Sequence, residues 1–240
     1  MIDFADLHIG DAMSDWEYIQ EMLSYIKDTP NCYCILGGDL MDTAIASSIG
    51  DTYGANLQPM EQLKMCVKLF EPVKEKILCV LHGNHENRVY KSDGIDMTQI
   101  MCSQLGIADR YSATTAVLFV RFGFDTKHQR KYSYSVYVTH GTGGGRKEGG
   151  KLNRLADLSE IIDVDLYCVA HTHLPASFKT GYYRASNVNS SVQFVTHTFL
   201  NTASALNYGG YGDIQGYKPS CKDYPVAVLS GVKKDIRVRV

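Results

Sequence analysis

The chain carries almost no net charge, because 24 lysines and arginines stand against 26 aspartates and glutamates, a formal balance of −2. That excludes a global basic field for gripping nucleic acid, so any polyanion contact must be local. No apolar run approaches the ~20 residues needed to span a bilayer. The opening Met1-Ile2-Asp3-Phe4-Ala5-Asp6 has no basic stretch followed by an apolar one. A soluble, cytoplasmic protein with no membrane partner is therefore expected. Internal repeats, low-complexity tracts and linkers are also missing, and a single domain spanning 1–240 is the expectation. Seven cysteines form no clustered pairs, and the odd number argues against a disulfide framework. They sit in apolar settings and are expected to be buried thiols. Cys32-x-Cys34 would make half a zinc site, but no second pair completes it.

What is present is alternation. Short apolar runs exchange with longer amphipathic segments through the first two thirds of the chain, the pattern of strands joined by helices. Ser14 and Glu17 predict a capping box opening a helix on Trp16, Ile19, Leu23 and Ile26. Strands are expected at Cys32–Leu36 and Ile77–Leu81. A second helix should start at Pro59 and be interrupted by Pro72. Asp96 to Leu105 is expected to be helical, Ala116–Phe122 and Tyr132–Thr139 extended, Leu152–Ile162 helical and Leu166–Ala170 extended. After His173 the texture changes to consecutive strands without intervening helices, at Ser177–Tyr183, Val192–Phe199 and two runs between Pro225 and Val240. These suggest a second, largely antiparallel sheet.

Five predicted strand ends carry metal-binding side chains: Asp6-Leu7-His8, Gly38-Asp39-Leu40-Met41-Asp42, Gly83-Asn84-His85-Glu86, Thr139-His140-Gly141 and Ala170-His171-Thr172-His173. Strand ends are where α/β sites assemble. Each piece alone has an ordinary explanation, such as a glycine turn capped by an acid or a satisfied strand-end histidine. Together they hold five of the chain's eight histidines.

This ordered series resembles the calcineurin-like metallophosphoesterase superfamily, in particular its small stand-alone bacterial or phage members. The family pattern is Asp-x-His, Gly-Asp-x-x-Asp, Gly-Asn-His-Glu or Asp, a lone His, then Gly-His-x-His. Residues 6 to 173 supply every element in order, with Ala170 where the family has glycine. The stretch before Asp6 is barely long enough for a strand, so that strand is either short or missing its start. The resemblance implies an α/β fold, a four-layer α/β/β/α sandwich of two mixed β-sheets flanked by helices, with a dimetal site at the strand ends. It places Asp6, His8 and His173 on one divalent ion and Asn84, His140 and His171 on the other, with Asp39 bridging. Mn²⁺ suits these mixed ligands best, and Fe²⁺, Zn²⁺, Ni²⁺ or Mg²⁺ are alternatives. A metal-bridging hydroxide would attack phosphorus in line. His85 would protonate the leaving oxygen, and Asp42 would orient His85, although Asp42 also reads as a helix N-cap.

Substrate contacts are expected around the site. Gly141 to Lys151 forms a glycine-rich loop with Arg146, Lys147 and Lys151, suited to a phosphate or nucleic-acid backbone or, equally, to a solvated lid. It lacks the Gly-Lys-Ser/Thr ending of a Walker loop. Arg88 would reach a phosphate oxygen or lie exposed at a helix start. His82, His128 and His197 are expected to be structural. Tyr208, Tyr211 and Tyr217 are packing aromatics or base-stacking platforms. The expected partner is a phosphate ester, with nucleic acid or a nucleotide among the candidates. A phosphodiesterase, with nuclease activity as one form, is favoured over a phosphomonoesterase or protein phosphatase. In the protein phosphatases of the family, arginine occupies the positions of Thr43 and His82. A non-catalytic scaffold is disfavoured because no ligand is lost.

Overall fold

The computed structural model describes residues 1–45, 55–122 and 132–240; the polar turn around His128 lies outside them. Strand β1 (Ile2–Asp3) is followed by helix α1 (Trp16–Asp28), whose Ile19, Leu23 and Ile26 are all buried. The predicted Ser14–Glu17 capping box does not form, and the helix is capped one residue later by a single side chain. Asp15 is the N-cap and accepts from Tyr18 N at 3.1 Å, while the Ser14 hydroxyl donates to Leu7 O at 2.8 Å. A backbone carbonyl of the Asp6-Leu7-His8 loop thus takes the group that would have capped the helix.

Strand β2 is shorter than expected, Cys34–Leu36. Helix α2 (Pro59–Phe70) opens at its proline and gives way at Pro72 to a tighter turn. Strand β3 (Ile77–Leu81), helix α3 (Glu86–Asp93), helix α4 (Met97–Leu105) and strands β4 (Tyr111–Ser112), β5 (Thr115–Phe122) and β6 (Tyr132–Thr139) follow. Helix α5 starts earlier than the sequence suggests, at Glu148, and takes Gly149 and Gly150 into its first turn. Its stability comes from the packing of Leu152 and Leu155 against Tyr137, Tyr167 and Phe199, which outweighs the entropy two glycines cost. The remaining elements are β7 (Leu166–Val169), β8 (Ala176–Ser186), β9 (Ser191–Asn201), the short α6 (Gly210–Ile214), β10 (Val226–Leu229) and β11 (Ile236–Arg239).

Two mixed sheets result, with strand orders β11-β10-β1-β2-β3-β4 and β5-β6-β7-β9-β8. The late strands do not form a sheet of their own. The β8–β9 hairpin extends the second sheet, whereas β10 and β11 return to the first and pair antiparallel beside β1. Without β10, the two-residue β1 would be a bare edge with little to hold it. One core lies between the first sheet and α1, α2 and α4, a second between the sheets, and a third between the second sheet and α5. The expected α/β/β/α layering follows. No helix among the described residues is long and apolar enough to cross a membrane. Six cysteines, Cys32 and Cys34 included, are buried; Cys221 is exposed, against expectation.

Tyr134 ties the sheets together. Its ring is buried between them, and its hydroxyl reaches the β10–β11 turn, within 2.7 Å of Ser230 O and 2.8 Å of Lys233 O, while accepting from Asp235 N at 3.0 Å. Tyr134→Phe should cost about 1–2 kcal/mol by leaving those groups short of a partner. Urea unfolding measures the loss, and metal content should not change.

Candidate metal centre

The parallel strands β1, β2, β3, β6 and β7 all aim their carboxyl ends at one place, and the loops leaving them bring the predicted ligands together. Two clusters emerge whose ligand atoms lie within 4.8 Å of one another: Asp6, His8 and His173, and Asp39, His140 and His171. Asn84 joins the second cluster, its Oδ1 lying 2.9 Å from His140 Nε2. Holding them costs backbone strain. Asp6, His8, Asp39, His171 and His173 all adopt left-handed φ, between 47° and 68°, a conformation costing about 1–2 kcal/mol per non-glycine residue. Such strain persists only where the surroundings enforce it.

The enforcing groups are visible. His140 Nδ1 donates to Gly37 O at 2.8 Å, which leaves Nε2 to face the cluster. Asp6 Oδ2 accepts from His171 N at 2.9 Å, locking the first strand's loop to the last. Glu86 is fully buried and accepts from Met41 N at 2.8 Å, Gly83 N at 3.1 Å and Asp39 N at 3.2 Å, holding two loops in register. Thr43 N donates to Gln62 at 2.8 Å, and the Thr43 hydroxyl donates to His85 O at 2.5 Å. The roles of Glu86 and Thr43 were missed in the sequence. The only sign of Glu86's role was its place directly after Gly-Asn-His, where an acid also suits a helix start.

The donor set fits divalent cations. Asp6 Oδ1 is buried without a hydrogen-bond partner and lies 3.5 Å from His173 Nε2, so it is a desolvated anionic oxygen facing imidazole. His8 and His171 are held below the usual histidine range, first by burial and then by neighbouring histidines, which keeps their lone pairs available. Burial also opposes charge on His140, but Asp39, 3.3 Å away, outweighs it and pushes His140 up to about 10. Asp39 is held well below the usual carboxylate range: burial opposes its charge, and His140 and His85 prevail. A divalent cation held by Asp39 and His140 would take the place of the proton that now sits between them. Beneath the site Asp3, fully buried, is raised to about 8 by burial and by Asp6.

His85 stands at the edge of both clusters. Its Nδ1 donates to Asp42 Oδ1 at 3.0 Å, and its ring meets His8 edge to face, centroids 4.3 Å apart. Burial opposes its charge, but the hydrogen bond to Asp42 and the proximity of Asp39 raise its pKa. His8, Asp39 and His85 form a third group with ligand spacing. Arg88 is not extended into solvent; it donates to His85 Nε2 at 3.0 Å and to Asp42 O at 3.1 Å.

The basic loop divides. Arg146 and Lys147 are exposed, the Arg146 guanidinium lying 5.4 Å from the centre of the Tyr217 ring. Lys151 is directed elsewhere, donating to Thr172 O at 2.7 Å between the candidate ligands His171 and His173. Tyr208 is exposed and bonds Asp213 at 3.2 Å. His82 lies 3.3 Å from Asp96, and His197 bonds Asp163 at 2.9 Å; neither enters the clusters.

Gly83 makes the close packing sterically possible. A Cβ there would sit 2.1 Å from Asp39 N and 2.5 Å from Glu86 Oε2, so backbone must move to admit one. Gly83→Ala should weaken metal binding roughly 10–100-fold, as for loss of a group that orients ligands; calorimetric titration with Mn²⁺ measures it.

A family model described as calcineurin-like phosphoesterase matches residues 4–175. No curated protein sequence matches the chain. Among solved structures, Vacuolar Protein Sorting 29 from Cryptosporidium parvum is 14% identical, with 99% of this chain and 95% of that one covered and a TM-score of 0.44. Vps29 from Entamoeba histolytica, complexed with zinc, is 12% identical, with 99% and 96% covered and a TM-score of 0.43. An uncharacterized protein from Streptococcus pneumoniae, a predicted phosphoesterase, is 15% identical, with 88% and 75% covered and a TM-score of 0.34.

Proposed function

Because the chain belongs to the calcineurin-like phosphoesterase family, we propose that this metal-dependent phosphoesterase is a phosphodiesterase, with nucleic acid among its candidate substrates. Asp6, His8 and His173 would hold one divalent ion, Asn84, His140 and His171 a second, with Asp39 shared between them. When bound, such ions acidify a coordinated water and neutralise charge on phosphoryl oxygens. The mixed imidazole, carboxylate and amide donors suit Mn²⁺, with Fe²⁺, Zn²⁺, Ni²⁺ and Mg²⁺ also accommodated.

The chain's own groups do the rest. Asp42 fixes the His85 imidazole by its Nδ1, leaving Nε2 for the leaving oxygen of the ester. Arg88 donates to that nitrogen and to Asp42 O; for Nε2 to carry the proton the leaving oxygen takes, this bond has to open, and the released guanidinium then lies where leaving-group charge develops. Lys151 fixes the backbone between His171 and His173.

The observation that carries the diester reading is the pair of exposed cations, Arg146 and Lys147, on the segment leaving His140. A diester continues past the scissile phosphate on both sides, and cations beyond the ion-binding loops favour such a chain. The test compares bis(p-nitrophenyl) phosphate, p-nitrophenyl phosphate and single-stranded DNA or RNA on Mn²⁺-loaded protein. Diesters should be cleaved at least ~10-fold more efficiently, and Arg146→Glu with Lys147→Glu should raise KM for the oligonucleotide alone. A preference for the monoester overturns the diester assignment in favour of phosphomonoesterase action.

A further inference from the structure

Strand β8 closes the second sheet on one side, and its outer edge has no strand beside it. It runs 11 residues, Ala176–Ser186, in unbroken register with β9, about twice the usual strand length. The direction of its free groups follows from β9. Thr198 N donates to Asp165 O at 3.0 Å and Thr202 N to Val169 O at 2.8 Å, both toward β7. Lys179 stands opposite Thr198 and so turns its N–H and C=O the other way, as do Ser177, Gly181, Tyr183 and Ala185 by strand alternation. Among the described residues no backbone hydrogen bond meets any of these groups.

The chain between Phe122 and Tyr132 does not reach this edge. Those anchors lie on β5 and β6, and β7 and β9 stand between them and β8. Three strand spacings, roughly 14 Å, separate β6 from β8, and the outer side of β8 lies ~5 Å further. The ten Cα steps from Phe122 to Tyr132, leaving and returning, reach out at most about 17 Å. Lys179 is moreover level with Val136, four residues along β6 from Tyr132.

Long edges are shielded by proline, bulges or charge. Strand β8 has no proline, and its two charged side chains are engaged elsewhere, Lys179 by Ile236 O and Arg184 by Asp163. The exposed side chains beside it are aromatic. Tyr183 is 75% exposed and Phe194 of β9 64%, their rings edge to face with centroids 5.6 Å apart. Phe194 lies over Gly181, where a Cβ would meet its ring at 2.3 Å.

The strand is complementary to itself. Gly181 is its midpoint, so a second β8 laid antiparallel in full overlap puts a two-fold axis there. Lys179 then faces Tyr183 of the other copy, Phe178 faces Arg184 and Thr180 faces Tyr182. Each cation meets a ring, no like charges meet, and the outward groups pair in about ten hydrogen bonds. The exposed Tyr183 and Phe194 rings of both copies gather over the paired glycines. A shift of one residue sets outward groups against inward ones, and in one direction sets Lys179 against Arg184. We propose that β8 is a dimerisation edge, on which two copies of this chain pair antiparallel about Gly181 and join their second sheets into one.

Sedimentation of the full chain from about 1 to 100 μM should show a monomer–dimer equilibrium. Hydrogen exchange should slow at the Ser177, Lys179, Gly181, Tyr183 and Ala185 amides as the dimer fills. Two variants at the exposed Tyr183 read the register. Tyr183→Lys sets an ammonium opposite Lys179 twice in each dimer, whereas Tyr183→Glu sets a carboxylate there, and both lose the ring. At low ionic strength the lysine variant should dimerise at least ~10-fold more weakly than the glutamate variant. Should a variant misfold, sedimentation and exchange of the unaltered chain still decide. A monomer throughout, assemblies larger than a dimer, protection at other strands only, or equal dimerisation of the two variants would each overturn the proposal.

Discussion

Asp39→Asn should weaken divalent-metal binding and lower phosphoester hydrolysis by ~10³-fold or more, about 4 kcal/mol of transition-state stabilisation. The carboxylate stands between the clusters. Its Oδ2 lies 3.3 Å from His140 Nε2 and 3.8 Å from His85 Nε2, and its Oδ1 accepts from His85 N at 2.8 Å. Asparagine keeps the shape and an oxygen for the His85 amide but removes the charge. The His140 proton then loses the anion that holds it, and burial favours the neutral ring. No buried charge is stranded, so far-UV circular dichroism should match the parent chain. Thermal unfolding separates the possibilities: Mn²⁺ should raise the Tm of the parent chain in a concentration-dependent way and have a much smaller effect on the variant. A variant with unchanged metal content and activity would remove Asp39 from the centre.

The clustering was largely legible in the sequence because each candidate ligand lies in a segment of three to five residues at a strand end, and such ends converge whatever the loops between them do. Less legible were the groups that hold the ligands. Glu86 works through three backbone amides from two loops, and amide direction leaves no trace in side-chain pattern. Lys151 read as a phosphate ligand because it belongs to a basic, glycine-rich run, yet its ammonium meets a carbonyl 21 residues away in sequence. The left-handed backbone at Asp6, His8, Asp39, His171 and His173 was equally hidden, since none of these is glycine. Within the fold, alternation located the late strands but not their sheet. Strand β10 pairs with β1 across more than two hundred residues, a partnership set by the short β1 needing cover rather than by anything local in β10. Ser14 misled for a related reason, its hydroxyl being claimed by Leu7 O rather than by the helix it precedes.

His85→Ala should lower kcat ~10²–10⁴-fold on esters with poor leaving groups and far less on p-nitrophenyl esters, whose leaving oxygen needs little protonation. The geometry sets this expectation. Asp42 holds Nδ1 at 3.0 Å, Arg88 meets Nε2 at 3.0 Å, and the ring is half-buried beside both clusters. Asp42→Asn removes only the orienting anion, with an expected loss of ~10–100-fold. The double variant should be no worse than His85→Ala alone, because Asp42 acts through His85. The third group of ligand spacing, His8, Asp39 and His85, gives the experiment its alternative. A ligand role for His85 would make His85→Ala lose metal in step with activity and slow all esters alike, whereas an acid role leaves metal content intact. Elemental analysis of the purified variant, read beside the leaving-group dependence of kcat, decides between them.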